Sequence, residues 1–127
     1  MKNERMFLKC EICGNLIGMV HDSGVTPVCC GKPMTLLKPN TVDAAQEKHV
    51  PVGEISGNKL IVSVGSVTHP MTEEHHIAWI AIAQGSHTQR KALEHTGEPK
   101  AEFYINPNEP ITVFEYCNIH GLWAADL

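Results

Sequence analysis

Five cysteines and eight histidines stand in a chain of 127 residues, and several are spaced as metal ligands are. Cys10 and Cys13 flank Glu11-Ile12, and the adjacent pair Cys29-Cys30 follows after a hairpin-length interval. Cys117-Asn118-Ile119-His120 comes far downstream, preceded by His49 and by a segment holding His69 and His75. Thiolates and neutral imidazoles bind borderline and soft metals well. Four N-terminal sulfurs make a tetrahedral set for zinc or a single iron. One thiolate with several imidazoles suits iron or copper better than magnesium or calcium. Two separate metal sites are therefore expected.

The spacing leaves the metals open. A zinc ribbon would carry two Cys-x-x-Cys knuckles, whereas Cys29 and Cys30 share one short tether that should distort the tetrahedron. A structural zinc clip is the alternative to iron there. For the second set, blue copper is the rival, because it also takes a Cys and His from a C-terminal loop plus a distant His. Such sites usually add an axial Met after the second His, and Gly121 to Leu127 contains none. His75 and His76 are neighbours at a strand start, where successive side chains point to opposite faces, so only one should reach a metal. His21, His87 and His95 lie in polar surroundings and read as solvated surface residues.

The positioning elements read as mainly β. Residues 1–37 hold four of the cysteines and turn glycines but little apolar content. Units below about 40 residues rarely fold without a metal or disulfides, so this domain should be stapled by its own metal. Lys38 to Thr41 reads as a linker into a second domain at 38–127. There Lys59 to Val64, His76 to Ile82, Glu102 to Ile105 and Ile111 to Tyr116 are short, β-branched or aromatic, and bounded by turn residues. Several such strands suggest a β-sandwich. Gln89 to His95 carries a weak helical hint.

A hydrophobic content of 43% with net charge -4 describes a soluble globular protein and argues against a nucleic-acid partner. No apolar signal core follows Met1, and Ile77 to Ala83 is too short to cross a bilayer. A cytoplasmic location is expected, where reduced cysteines act as ligands more readily than as disulfides.

In order, Cys10-x-x-Cys13, Cys29-Cys30, Glu47-Lys48-His49-Val50-Pro51, His69-Pro70-Met71 through His75, and Glu115-Tyr116-Cys117-Asn118-Ile119-His120-Gly121 resemble desulfoferrodoxin, the two-iron superoxide reductase family. The resemblance implies a desulforedoxin-like domain with a ferric FeS4 centre on Cys10, Cys13, Cys29 and Cys30. It implies an immunoglobulin-like sandwich in which His49, His69, His75 and His120 hold ferrous iron equatorially and Cys117 axially. The implied reaction is one-electron reduction of superoxide to hydrogen peroxide, in a homodimer fed by a rubredoxin-like carrier. Lys48 would then attract superoxide, and Glu47 would take the sixth position on ferric iron. Outside the resemblance, Glu47 and Lys48 are a solvated pair worth less than about 1 kcal/mol. His76 departs from the family pattern, which more often has a large aromatic there, and Gln84 to Lys100 carries no motif over.

Overall fold

The computed structural model describes residues 6–127, which fall into two compact units, 6–38 and 39–127. The first contains β1 (Phe7–Lys9), β2 (Leu16–Gly18), β3 (Val28–Cys29), β4 (Lys32–Pro33) and β5 (Thr35–Leu36). Strands β2-β1-β5 form an antiparallel sheet, and β3-β4 form a hairpin. The buried residues of its core are Leu8, Cys10 and Met34, with Ile17, Met19, Cys29 and Leu36 packed against them. Two of these seven are cysteines. A core this small leaves most of the stabilisation to whatever the thiols hold.

The hairpin settles how adjacent cysteines can serve one site. Cys29 pairs with Lys32, leaving Cys30 and Gly31 as a two-residue turn with φ of 54° and 74°. Positive φ at both central positions is the type I′ turn that matches strand twist. Cys30 thus occupies a left-handed conformation that non-glycine residues rarely adopt.

The second unit contains α1 (Gln46–His49), β6 (Pro51–Ser56), β7 (Lys59–Val64), β8 (Ile77–Gln84), β9 (His87–Ala92), β10 (Lys100–Tyr104), β11 (Thr112–Cys117) and β12 (Gly121–Asp126). A three-stranded sheet, β10-β7-β6, faces a four-stranded one, β12-β11-β8-β9, and every pairing is antiparallel. Side chains alternate, so Leu60, Val62, Val64 and Phe103 from one sheet meet Ile80, Ile82, Val113 and Cys117 from the other. Each large apolar side chain buried this way contributes about 1.5–3 kcal/mol. The mainly β sandwich expected from the sequence is present. No helix among the described residues is long and apolar enough to cross a membrane.

Two departures matter. Gln89 to His95 does not form a helix: β9 runs alongside β8 from Gln84↔His87 to Trp79↔Ala92. Its residues are mostly exposed on both faces, so no period-two pattern marks the strand. Backbone pairing along β8 overrides the local helical preference of Gln-Arg-Lys-Ala. The second departure is a bulge. Cys117 pairs with Ile77 while Tyr116 pairs with Trp79, so Ala78 is the extra residue on β8. Bulges re-aim side chains and favour functional sites, and this one immediately follows His75 and His76.

Candidate metal centres

In the first unit, Cys10, Cys13, Cys29 and Cys30 place their sulfurs within 4.8 Å of one another. Cys13 Sγ lies 3.7 Å from Cys29 Sγ, and Cys29 Sγ lies 4.0 Å from Cys30 Sγ. A tetrahedral site with metal–sulfur bonds of about 2.3 Å has sulfur–sulfur edges of about 3.8 Å. These two edges fit a tetrahedron, and the left-handed backbone at Cys30 helps the adjacent cysteines serve one site. On the other side, Gly14 (φ 82°) turns the chain so that its N–H donates to Cys10 O. The Cys13 N–H points at Cys10 Sγ, and the Asn15 N–H points at Cys13 Sγ. Backbone N–H groups of Cys13 and Ile12 hold the Cys10 thiol down to about 6. Cys30 is pushed up to about 12, chiefly by Cys13 and then by Cys10 and Cys29. Four thiolates cannot share this space without a cation to neutralise them.

The second group is assembled from four separate segments. His49 ends α1, a single turn whose Glu47 carbonyl accepts from the Val67 N–H at 2.8 Å. His69 lies in the loop after β7, and its N–H reaches Val64 O. Thr72 brackets His75, its Oγ1 accepting from the His75 N–H while its own N–H donates to His75 O. Cys117 closes β11, and His120 sits in the turn before β12. Asn118 ties the last two segments together, accepting from the His76 N–H and donating to Glu74 O.

The four imidazoles form a square. Ring centroids of His49–His69, His69–His75, His75–His120 and His120–His49 are 4.8, 4.6, 5.1 and 4.8 Å apart, each pair near perpendicular. Across the diagonal, His49 and His75 are 6.4 Å apart. Cys117 Sγ joins His49, His69 and His75 within 4.8 Å and lies 3.8 Å from His120 Nδ1.

The donor chemistry fits a cation at the centre. His49 Nδ1–H donates to Ala45 O and His69 Nδ1–H donates to Pro70 O, both at 2.7 Å. Such bonds fix the tautomer and leave Nε2 as a lone pair. Those two Nε2 lone pairs nevertheless face each other at 3.3 Å, and His49 Nε2 also lies 3.1 Å from His120 Nδ1, whose N–H donates to it in one tautomer. His75 Nε2 is buried with no hydrogen-bond partner. Protonation is a poor remedy, since burial pushes His69 down to about 4 and lowers His49 and His75. Burial raises Cys117, while N–H groups of His120 and Ile119 support its thiolate. Converging lone pairs beside a thiol are what a metal ion resolves.

The square is neither a tetrahedral zinc set nor a trigonal copper set of two imidazoles and a thiolate. Met71, within the histidine segment, packs on the sandwich core and accepts the Ile77 N–H at its sulfur. His76 turns away, its Nδ1 bound by the Thr72 and Glu73 carbonyls. His21 and His87 are exposed, while His95 is half-buried with its ring 6.0 Å from His76. Glu47 and Lys48 are exposed on α1.

Three residues of this neighbourhood carry no ligand signal in the sequence. Gly65 (φ 81°) lies so close to α1 that a Cβ would sit 2.7 Å from Glu47 O. Trp123 stacks on His49. Glu115 points inward one pleat from Cys117, fully buried, with neither carboxyl oxygen meeting a partner among the described residues. Burial pushes its acid up to about 9, so it is neutral near pH 7. Of the three, only Gly65 offers a sequence signal, the turn tendency common to glycines.

Residues 2–37 match the family model described as desulfoferrodoxin, N-terminal domain, and residues 41–126 match that of desulfoferrodoxin. The chain is 49% identical to the desulfoferrodoxin of Syntrophotalea carbinolica, covering 93% of each, and 44% identical to that of Nitratidesulfovibrio vulgaris, covering 99% of each. Among solved structures it is similar to the superoxide reductase from Treponema pallidum. That match has a TM-score of 0.76 and 37% identity, and covers 93% of this chain and 98% of that one. The group of four cysteines and the group of four histidines with one cysteine match the two iron centres of this family. On both family models and on whole-length identity, the chain belongs to the desulfoferrodoxin family.

Proposed function

We propose that this protein is a superoxide reductase, with Cys10, Cys13, Cys29 and Cys30 holding a ferric FeS4 centre in domain 1–37. His49, His69, His75, His120 and Cys117 hold the catalytic ferrous iron in domain 38–127. The observation that carries this reading is the square of four imidazoles with a buried cysteine beside it. Bound ferrous iron supplies one electron to superoxide, which with two protons leaves as hydrogen peroxide. The residues divide the remaining work. His49, His69, His75 and His120 would hold the ion as neutral donors, and Cys117 would supply the one charged donor. The Cys117 thiolate would add electron density to the bound ion, as a cysteine ligand does in haem enzymes.

The rest of the functional reading follows the family. The FeS4 centre serves as electron relay or folding staple, a rubredoxin-like carrier supplies electrons, and the protein works as a cytoplasmic homodimer in oxidative-stress defence. Metal analysis of protein purified without oxidant tests the assignment. Two irons per chain are expected, and full occupancy of both sites by zinc or copper would overturn it.

Lys48 is proposed to steer substrate, since the chain is net negative and the attraction must be local. Its exposure on α1, next to His49, supports that role. Focused positive charge raises on-rates by roughly 10–1,000-fold. Lys48→Ala should slow the encounter of ferrous protein with pulse-generated superoxide by roughly ten-fold at low salt. The wild-type rate should fall with ionic strength, because screening acts within about 10 Å at 0.1 M, and the variant should lose much of that slope. Equal rates and equal slopes would return Lys48 to the solvated surface.

A further inference from the structure

We propose that Trp123 is a positioning residue that holds His49 and His120 at their corners of the imidazole square and thereby biases the site against tetrahedral ions. Trp123 lies on β12 and is 1% exposed. Its indole stacks on the His49 ring, with centroids 4.9 Å apart and planes 27° apart. Its Nε1–H donates to the His120 carbonyl at 3.1 Å. One rigid side chain therefore touches two donors that stand 71 positions apart in the sequence.

Each contact supplies something the ligand lacks. The His49 ring is tied at Nδ1 to Ala45 O, which fixes one point on the ring and leaves its tilt free. The indole face removes that freedom. His120 is different, because Nδ1 is the atom it turns toward the other donors. It cannot use the Nδ1–H to carbonyl anchor that His49 and His69 use. The turn that carries it must be fixed instead, and the Trp123 bond fixes its carbonyl. Partners of this kind typically contribute 10–100-fold in metal affinity.

Selectivity follows from the same geometry. Zinc prefers four donors in a tetrahedron, so it would need the square to pucker, with His49 and His120 leaving their plane. Trp123 resists that movement at both residues. A ferrous ion, which has no such demand for four tetrahedral donors, would gain from the rigidity.

The inference rests on reading the histidine square with Cys117 as an iron site, and the test separates the two. Full-length wild type, Trp123→Phe and Trp123→Leu are freed of metal, then titrated anaerobically with ferrous ion against a chelator. They are then offered equal ferrous and zinc ions. The Phe variant keeps a stacking face and loses the N–H; the Leu variant loses both. Ferrous affinity should fall three- to ten-fold in Phe and roughly 10–100-fold in Leu, and the zinc share at this site should rise in the same order. The far-ultraviolet circular dichroism and thermal melting of the mainly β second unit serve as the folding control. Wild type that takes up no iron at the histidine square would defeat the iron-site reading. Wild type that loads while Trp123→Phe matches it within two-fold in affinity and zinc share would overturn the role of Trp123. The Phe variant decides this even where the Leu variant does not fold.

Discussion

Cys117→Ser should give a folded protein that has lost the thiolate-to-iron absorption of the catalytic centre and at least about a hundred-fold of its superoxide reduction rate. The thiol closes β11, is fully buried, and receives the His120 N–H. Serine is similar in size, so the sandwich should survive, at a cost of about 1–3 kcal/mol for placing a hydroxyl in that environment. Electronically the exchange is drastic, because an un-ionised hydroxyl replaces a charged, polarisable donor. The loss should exceed the 10–100-fold typical of changes to residues that only support ligands. The FeS4 centre draws on none of these atoms and should keep its own spectrum. Optical spectra of the oxidised protein and pulse kinetics of the reduced one measure both effects. A variant with the wild-type band and rate would remove Cys117 from the iron.

The second large effect is expected at a residue that is not itself a ligand. Gly65→Ala should destabilise the second unit by about 3 kcal/mol or more and empty the histidine square of iron. The φ of 81° alone costs a non-glycine residue about 1–3 kcal/mol. The added Cβ would also clash with three backbone atoms: Val67 O, Glu47 O at 2.7 Å and the Lys48 carbonyl carbon at 2.8 Å. None of these is a flexible side-chain end that can swing aside. Relief requires α1 to move, and α1 carries His49. The Gly65 N–H also donates to Val50 O, tying the same turn from below. Thermal melting with iron counting checks both parts. An unchanged melting temperature with two irons per chain would show that α1 has room to spare.

The ligands were legible because cysteine and histidine are few and chemically committed, and their order matched a family pattern. Strands such as Lys59–Val64 were legible because one face is buried, so apolar residues recur every second position. The strand β9 was not, since both its faces are mostly exposed and its state is set by β8. The sequence Gly121–Asp126 hid β12 for the opposite reason, with Leu122, Trp123 and Ala124 all buried in succession. Cys29-Cys30 read as a strained pair because sequence shows the tether and conceals the φ of 54° at Cys30. Gly65 and Trp123 act through contacts with α1 and with rings distant in sequence, which no local pattern encodes.

The protein should reduce superoxide and not dismutate it. The direct measurement exposes fully ferrous protein, free of other reductants, to a limiting pulse of superoxide, and counts peroxide, oxygen and oxidised iron together. Reduction yields one hydrogen peroxide and one oxidised iron, at either centre, for each superoxide consumed, with no oxygen released. Half as much peroxide, matched by released oxygen and leaving the iron ferrous, would contradict the account.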